Sequence, residues 1–171
     1  GEMSRYLYQL KFLYPHDNIN FSFINYNVIS PQKEKLTINK NKEIIEKLNK
    51  VDAYVSGIGT GGTLIGVATR LKEKFNDIKI VALEPKQLPI LSKGVVTGSH
   101  KIEGIGDDFI PNIVDKTIID EVVVVDDVDA INMARILAKK FGLGVGISSG
   151  ANLIASVLSG GNDVVTVFAD D

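Results

Sequence analysis

From Val51 to the end of the chain, short apolar runs alternate with longer stretches in which apolar residues recur every three or four positions. The apolar runs are DAYVS, KIVAL, EVVVV and DVVTVF, and each of them is nearly continuous. Runs of this length and composition are typical of parallel strands that are buried on both faces. Because strands and helices alternate, the pattern predicts an α/β domain with a mostly parallel sheet flanked by helices.

The amphipathic stretches predict three helices. The first is LIGVATRLKEKF, and its apolar face consists of Leu64, Val67, Ala68, Leu71 and Phe75. The second starts near Asp127, with Asp126 or Asp127 as its N-cap. Its predicted core face consists of Ile131, Ala134, Leu137, Ala138 and Phe141. The third is the small-residue segment ANLIASVL.

Two other segments are less regular. Residues 1–50 are rich in Asn and Lys, and they predict a short helix that stops at Pro15, a strand in FSFINYNVI and a helix in NKEIIEKLNK. The gap between Glu84 and Glu121 is long for a compact domain, and loops of that length are functional or disordered in most cases. Four apolar residues in this gap could anchor it to the core, which favours an ordered loop over the face of the domain where a ligand would bind. These residues are Ile102, Ile105, Phe109 and Ile110.

Composition narrows the classes of function. The 171 residues are 44% apolar and 23% charged, with a net charge of −2, which is ordinary for a globular protein. This balance gives no electrostatic reason to expect nucleic acid or a membrane as a partner, and no apolar stretch is long enough to span a bilayer. The absence of cysteine excludes disulfides and thiolate nucleophiles, and it fits a cytoplasmic protein. His16 and His100 have no metal-ligand spacing, so no metal site is predicted. His100 is expected on the surface of its loop, and the alternative is that it helps to order the loop.

The segment SGIGTGGT, which joins the first predicted strand to the first predicted helix, contains the residues best suited to bind an anion. Its glycines allow backbone N–H groups to approach an anion, and the helix N-terminus adds a partial positive charge. Thr60 and Thr63 add two hydroxyl donors to the same loop. Strand, glycine loop and helix together predict a phosphate-binding site.

The glycine loop by itself leaves the identity of the ligand open. Gly57, Gly59 and Gly62 match the dinucleotide fingerprint, and the next strand ends in Glu84, about where that fold places a ribose-binding acid. An NAD-dependent oxidoreductase is therefore one alternative. A tight strand-to-helix turn without any ligand is another.

Four motifs taken together resemble one enzyme family. SGIGTGGT, LEP, HKIEGIG followed by DDFIP, and VGISSGA occur in the order and approximate spacing of the cysteine synthase family, which includes O-acetylserine sulfhydrylases and cystathionine β-synthases. These are fold-type II enzymes, with a tryptophan-synthase-β-like fold, that use pyridoxal 5′-phosphate (PLP). The resemblance runs from about Val51 to Phe168 and favours PLP over a nicotinamide cofactor.

The resemblance also implies roles for particular residues. The PLP phosphate would lie against Gly59, Thr60, Gly61, Gly62 and Thr63. A serine of the GISSG motif would bind the pyridine nitrogen, with Ser148 as first choice and Ser149 as second, although the pair could instead cap the following helix. A neutral hydroxyl at that nitrogen favours β-elimination over chemistry that needs a fully developed carbanion. The substrate-facing loop would consist of Gly104, Ile105 and Gly106, and Glu84 would be structural.

Other family motifs are missing from the chain. The Schiff-base lysine of the family lies in a PSxSxKDR-type motif and the substrate carboxylate binds a TSGNTG loop, and neither occurs here. We therefore expect a partial chain, truncated at both ends and inactive alone. Residues 1–30 would be a remnant of the smaller N-terminal domain, and residues 31–171 the PLP-phosphate-binding α/β domain. The resemblance also implies a homodimer.

Asp107 is a further departure, because many cysteine synthases carry small residues at positions 107 and 108. Asp107 is predicted to be catalytic, as a general base for water; the alternative is that Asp107 and Asp108 form a solvated turn. The predicted activity is PLP-dependent β-elimination or β-replacement on cysteine- or serine-type amino acids. It includes release of hydrogen sulfide from cysteine, with water adding to an aminoacrylate to give serine. A truncated relative that binds or regulates without catalysis stays open beside the NAD alternative.

Overall fold

The computed structural model describes residues 20–21, 49–95 and 98–169. The strands of this part are β1 (Asn20–Phe21), β2 (Ala53–Gly57), β3 (Lys79–Pro85), β4 (Glu121–Val125) and β5 (Asp163–Thr166). The helices are α1 (Gly62–Lys74), α2 (Ile90–Lys93), α3 (Asp127–Phe141) and α4 (Ile147–Leu158). In the described residues, no helix is both long enough and apolar enough to cross a membrane.

The strands form one sheet in the order β1-β5-β2-β3-β4, and every pairing of these strands is parallel. The chain runs from β2 through β3 to β4 on one side and then returns to place β5 on the other side of β2. The strand order therefore reverses between β2 and β5. In open α/β sheets, ligands bind at such a reversal, outside the carboxyl ends of the strands. The predicted α/β class with a parallel sheet is confirmed.

Both faces of the sheet are covered, as the continuous apolar runs predicted. Along β2, Ala53 and Val55 contribute to one apolar cluster, which includes the buried residues of α3 and α4. Tyr54, between them, points to the opposite face and packs in the cluster that includes α1. All three side chains are at most 1% exposed. The sheet is the middle layer of three.

The helix α1 buries the predicted face, whereas α3, the second predicted helix, buries a face that differs from the predicted one. In α1, Leu64, Val67, Ala68 and Leu71 are buried and Phe75 packs at the edge. In α3, Asp126 is the N-cap and accepts a hydrogen bond from the Val128 amide at 3.0 Å. The prediction that Ala138 lies in the core is wrong: Ala138 is exposed, and Ile131 and Phe141 are half-buried. The buried stripe is Ala130, Met133, Ala134 and Leu137, because α3 turns that face toward α4.

In its described residues, the long connection from β3 to β4 is ordered, and it contains α2. Ile102 is fully buried, while Ile105 packs against the core. Phe109 was a predicted anchor, but its side chain is 58% exposed, so that part of the prediction is wrong. The elements predicted before residue 49, and the domain boundary at residue 30, lie outside the described residues except where β1 meets the start of FSFINYNVI.

Candidate functional site

A pocket of about 380 Å³ opens where the strand order reverses, between the carboxyl ends of β2 and β5. Four segments line it: residues 56, 57, 59–61, 63 and 64, residues 103–105, the first turns of α4, and residues 167 and 169 after β5. Gly62 lies between two of these residues but is not itself among them. Pockets that hold small molecules fall between roughly 300 and 1,000 Å³. The pocket is large enough for a ligand of cofactor size.

One wall of the pocket is the N-terminus of α1. Gly61 is the N-cap with φ 80°, a left-handed conformation that favours glycine, and no side chain of the described residues caps this helix. The amides of Gly62, Thr63 and Leu64 precede the first intrahelical hydrogen bond, which the Ile65 amide donates to the Gly61 carbonyl at 3.0 Å. Thr60 and Thr63 are exposed at the pocket. Free amides, hydroxyls and the helix dipole together suit a phosphate group.

Positions 57 and 59 require glycine for a different reason from Gly61, namely a lack of space for a side chain. A Cβ on Gly57 would lie 2.5 Å from Ile105 Cγ2, and a Cβ on Gly59 would lie 2.5 Å from the Gly104 carbonyl oxygen. Both positions must lack a side chain because the segment containing Gly104 and Ile105 packs directly on them. The predicted phosphate loop and the predicted substrate loop are therefore in contact.

The substrate loop is fastened at several points. The Gly106 amide donates to the Ile58 carbonyl at 2.7 Å, and His100 Nε2 lies 2.8 Å from the Gly106 carbonyl oxygen. The Lys101 amide donates to Asp127 Oδ2 at 2.8 Å, at the start of α3. The surface position expected for His100 is wrong, because the residue is half-buried. The alternative, in which His100 helps to order the loop, agrees with its contact to Gly106.

The opposite wall of the pocket is the N-terminus of α4. The helix begins at Ile147 rather than Ala151, and Gly146 is its N-cap, so the alternative in which the serines cap the helix is wrong. Ser148 and Ser149 lie in the first turn and are 6% and 0% exposed. Ser148 lines the pocket, whereas Ser149 is not among the lining residues. This arrangement agrees with the choice of Ser148 as partner of the pyridine nitrogen, which stays a prediction.

Besides Ser56 of the segment SGIGTGGT, two polar residues of the pocket were given no predicted role. Glu103 lies on the wall next to Gly104, and Asn152 lies one turn after Ser148 on the same face of α4. Asn152 had a visible signal, since it is the sole amide in the otherwise small and apolar segment ANLIASVL. Glu103 had none, because an exposed glutamate in a loop is unremarkable.

The other predicted residues lie beside the pocket. Gly106 and Asp107 are not among its lining residues; they border a small cleft of about 10 Å³ together with Glu84 and Phe109. Asp107 and Asp108 are both exposed. A general-base role for Asp107 therefore stays a prediction, and the pocket as described does not include the Asp107 carboxylate.

Glu84 has a structural role. Its side chain is 2% exposed, and the carboxylate accepts hydrogen bonds from the Leu91 amide at 2.7 Å, the Ser92 amide at 3.1 Å and the Ser92 hydroxyl. These contacts attach α2 to the end of β3. The carboxylate is already bound by these donors and does not line the pocket, so the NAD alternative is not supported.

The pocket fits the PLP that the resemblance implies. Its two ends present the two kinds of group that the cofactor requires: helix amides with hydroxyls for a phosphate, and the Ser148 side chain for a ring nitrogen. Gly104 and Ile105 form the side between them.

Comparison with known proteins agrees with this fit. A family model described as pyridoxal-phosphate dependent enzyme matches residues 41–170. Cysteine synthase B of Campylobacter jejuni is 56% identical over 115 residues, which make up 67% of this chain and 38% of that protein. A cysteine synthase of Staphylococcus aureus is 39% identical over 149 residues, 83% of this chain and 47% of the relative. The chain thus spans less than half the length of these curated relatives.

Solved structures give the same picture. A hydrogen sulfide-producing enzyme from Fusobacterium nucleatum matches with a TM-score of 0.72 and 48% identity, over 80% of this chain and 42% of that one. An O-acetylserine dependent cystathionine β-synthase from Helicobacter pylori matches with a TM-score of 0.70 and 38% identity, over 77% of this chain and 44% of that one. Because the family model matches residues 41–170, a range that contains every pocket-lining residue, the chain belongs to the pyridoxal-phosphate dependent enzyme family.

Proposed function

We propose that the protein to which this chain belongs catalyses β-elimination and β-replacement on cysteine- or serine-type amino acids, including the conversion of cysteine and water to serine and hydrogen sulfide. The observation that carries the proposal is the single pocket that joins the α1 N-terminus to Ser148 at the α4 N-terminus. The pocket lies in a chain of the PLP-dependent family, and cysteine synthases and a hydrogen sulfide-producing enzyme are similar to it.

In this proposal each segment has one task. Gly59, Thr60, Gly61, Gly62 and Thr63 bind the phosphate, and Ser148 binds the ring nitrogen. Gly104, Ile105 and Gly106 form the side on which the amino acid lies. When bound, the cofactor supplies an electron sink for negative charge at the substrate Cα. The Ser148 hydroxyl keeps the ring nitrogen largely unprotonated, which favours loss of a β-substituent.

Asp107 is proposed as the base that activates water. The substrate first loses its Cα proton and its Cβ–S bond, and the sulfide leaves as hydrogen sulfide. Asp107 then takes a proton from water while the water oxygen bonds to the β-carbon, and a proton returns to Cα to complete serine. Cysteine and water give serine and hydrogen sulfide, so atoms and charges balance. The proposal is supported by the position of Asp107 directly after Gly106, whose amide is held by the Ile58 carbonyl beside the glycine loop.

The assembly is proposed from the family resemblance. We expect the full-length protein to be a homodimer, with residues 1–30 belonging to a smaller domain and residues 31–171 to the cofactor domain. Size-exclusion chromatography with light scattering measures the subunit number directly, and a monomeric full-length protein would contradict this expectation.

The activity is tested on the full-length protein loaded with PLP. Hydrogen sulfide and serine are measured from cysteine for the wild type, Asp107→Asn and the matched control Asp108→Asn. We expect equal amounts of the two products from the wild type, serine formation lowered by about 10²–10⁴-fold in Asp107→Asn, and near-normal rates in Asp108→Asn. If Asp107→Asn is as fast as the wild type, Asp107 is not the base. A wild type that binds PLP but turns over neither cysteine nor O-acetylserine would contradict the activity itself and favour a non-catalytic relative.

A further inference from the structure

Asn152 connects the two strands that border the pocket. Its Oδ1 accepts a hydrogen bond from the Gly57 amide at 2.9 Å, and its Nδ2 donates to the Val167 carbonyl at 2.8 Å. Gly57 is the last residue of β2, and Val167 directly follows β5. The side chain is 4% exposed and lines the pocket. One amide thus spans the point at which the strand order reverses.

The same side chain determines where α4 lies. On its other side α4 packs closely against α3: a Cβ on Gly150 would lie 2.4 Å from the Ala130 carbonyl oxygen and 2.8 Å from the Ala134 amide nitrogen. The helix therefore cannot move toward α3. Toward the sheet, Asn152 fixes its distance and rotation by two directional hydrogen bonds.

Ser148 precedes Asn152 by one helical turn and lies on the same face of α4, so the two side chains move together. The glycine loop starts at Gly57, whose amide Asn152 binds. The distance between Ser148 and the glycine loop is consequently set through Asn152.

We propose that Asn152 is a positioning residue, which holds Ser148 and the glycine loop at the separation that PLP requires. The proposal rests on the assignment of PLP to this pocket and not on the reaction that the full-length enzyme catalyses. It predicts that loss of the amide weakens cofactor binding through Ser148, beyond any effect on folding.

The two hydrogen bonds specify an amide. Aspartate has the same shape but offers Val167 a second oxygen in place of the N–H donor, so Asn152→Asp keeps the volume and breaks one bond. Alanine removes both bonds. The matched control is Thr166→Val: Thr166 Oγ1 donates to the Val55 carbonyl at 2.8 Å across the same two strands, and Thr166 is not among the lining residues.

The test uses the full-length protein stripped of PLP. The midpoint of thermal unfolding of the apo-protein and the Kd for PLP are measured for the wild type, Asn152→Asp, Asn152→Ala, Thr166→Val, Ser148→Ala and the double variant Ser148→Ala/Asn152→Asp. All single variants are expected to lower the midpoint. Both Asn152 variants should raise the Kd for PLP about tenfold, whereas Thr166→Val should keep it within about twofold.

The double variant tests the route of the effect. If Asn152 acts through Ser148, Asn152→Asp should raise the Kd much less when the Ser148 hydroxyl is already absent. The proposal is overturned if the Asn152 variants raise the Kd no more than Thr166→Val, or by the same factor with and without that hydroxyl. Failure of both Asn152 variants to yield folded apo-protein would also overturn it, because the amide would then hold the fold and not the site. A wild type that binds PLP without releasing sulfide contradicts the proposed activity and leaves this comparison intact.

Discussion

Gly59 and Gly104 lie back to back, so close that a Cβ on Gly59 would come within 2.5 Å of the Gly104 carbonyl oxygen. The loop that is predicted to bind the phosphate and the loop that is predicted to face the substrate therefore form one continuous surface. A substitution at Gly59 would displace both loops at once. The effect of such a substitution on cofactor binding could not be separated from its effect on substrate binding, so variants at other positions are more informative.

Gly62 offers a cleaner test of phosphate binding. The nearest atom to a Cβ at Gly62 is Thr60 Oγ1 at 4.0 Å, so the fold has room for a methyl group there. We expect Gly62→Ala to change the free energy of unfolding of the apo-protein by less than about 0.5 kcal/mol. We expect the Kd for PLP to rise about tenfold, because the methyl group obstructs the approach of the phosphate to the backbone amides. Urea unfolding and fluorescence titration with PLP measure the two quantities.

Two other glycines serve as comparisons for Gly62→Ala. Gly144→Ala is the matched control, since a Cβ at Gly144 meets nothing within 4 Å and none of the residues next to it lines the pocket, whereas Gly62 lies between the lining residues Gly61 and Thr63. Gly61 is unsuitable, because its φ is +80° and a Cβ would lie 2.6 Å from Val114 Cγ2, so the fold itself would be strained. Equal PLP affinity in Gly62→Ala and Gly144→Ala would remove Gly62 from the phosphate site.

The contact between His100 and Gly106 gives a prediction about the substrate loop. His100→Ala removes the hydrogen-bond partner of the Gly106 carbonyl and frees residues 104–106. One hydrogen bond contributes roughly 0.5–1.5 kcal/mol, so KM for the amino acid should rise about two- to tenfold. The Kd for PLP should change little, because the glycine loop is untouched. His100→Gln restores an N–H donor and should recover most of the loss. An unchanged KM in His100→Ala would mean that the loop is held well enough without the imidazole.

The sequence was sufficient for elements whose pattern is local. The strand EVVVV has the predicted ends, and the N-cap of α3 is Asp126, one of the two predicted candidates. Errors arose where a second element determines the outcome. Met133 is buried and Ala138 is exposed because the position of α4 determines which face of α3 is buried. The spacing of apolar residues along α3 alone does not predict where α4 will pack.

The same limit applies to the site. The glycine loop and Ser148 belong to short motifs, and both line the pocket. Asn152 lines it because the chain folds back from β4 to place β5 beside β2, and Glu103 lines it because the neighbouring Gly104 packs on the glycine loop. For His100 the sequence left a surface position and a loop-ordering role open, because its partner Gly106 is apparent only from the turn that brings the two residues together. The motifs predict which groups meet the cofactor, whereas the topology determines which groups hold them.

Asp52 gives a prediction about stability and pH. Its carboxylate pairs with Lys50 at 2.8 Å and accepts the Asn162 and Asp163 amides at 3.0 Å each, which joins the start of β2 to the start of β5. The hydrogen bond from Lys50, followed by that from the Asp163 amide, lowers the pKa of Asp52 from its ordinary value of 3.8.

A pKa that is lower in the folded state means that the unfolded chain binds the proton more readily. The contribution of Asp52 is therefore present above pH 3.8 and is lost as the pH falls through its lower folded-state pKa. Because the pair is largely solvated, the contribution is less than about 1 kcal/mol. Asp52→Asn should be less stable than the wild type at pH 7, and the difference should shrink as the pH falls toward 3. Urea unfolding between pH 3 and pH 7 measures this difference, and a gap that stays constant across the range would contradict the assignment.

Glu103 gives a prediction about the choice of nucleophile. It is the acidic residue that lines the pocket, beside Gly104, whereas Asp107 borders the separate cleft. A carboxylate on the wall repels an anionic nucleophile such as hydrosulfide and leaves neutral water unaffected. Two unit charges about 8 Å apart repel each other by roughly 0.5–2 kcal/mol when the effective dielectric constant lies between about 20 and 80.

Glu103→Gln keeps the size of the side chain and removes its charge. In the full-length protein, kcat/KM for hydrosulfide in cysteine formation should rise about two- to tenfold, while the rate of serine formation by water should stay within about twofold. The gain should shrink between 0.05 M and 0.5 M salt, because the Debye length falls below the charge separation. Asp108→Asn is the matched control, since it removes an exposed carboxylate of the same connecting segment that does not line the pocket. An equal gain in Asp108→Asn, or a gain in Glu103→Gln that does not depend on salt, would show that the Glu103 charge does not select the nucleophile.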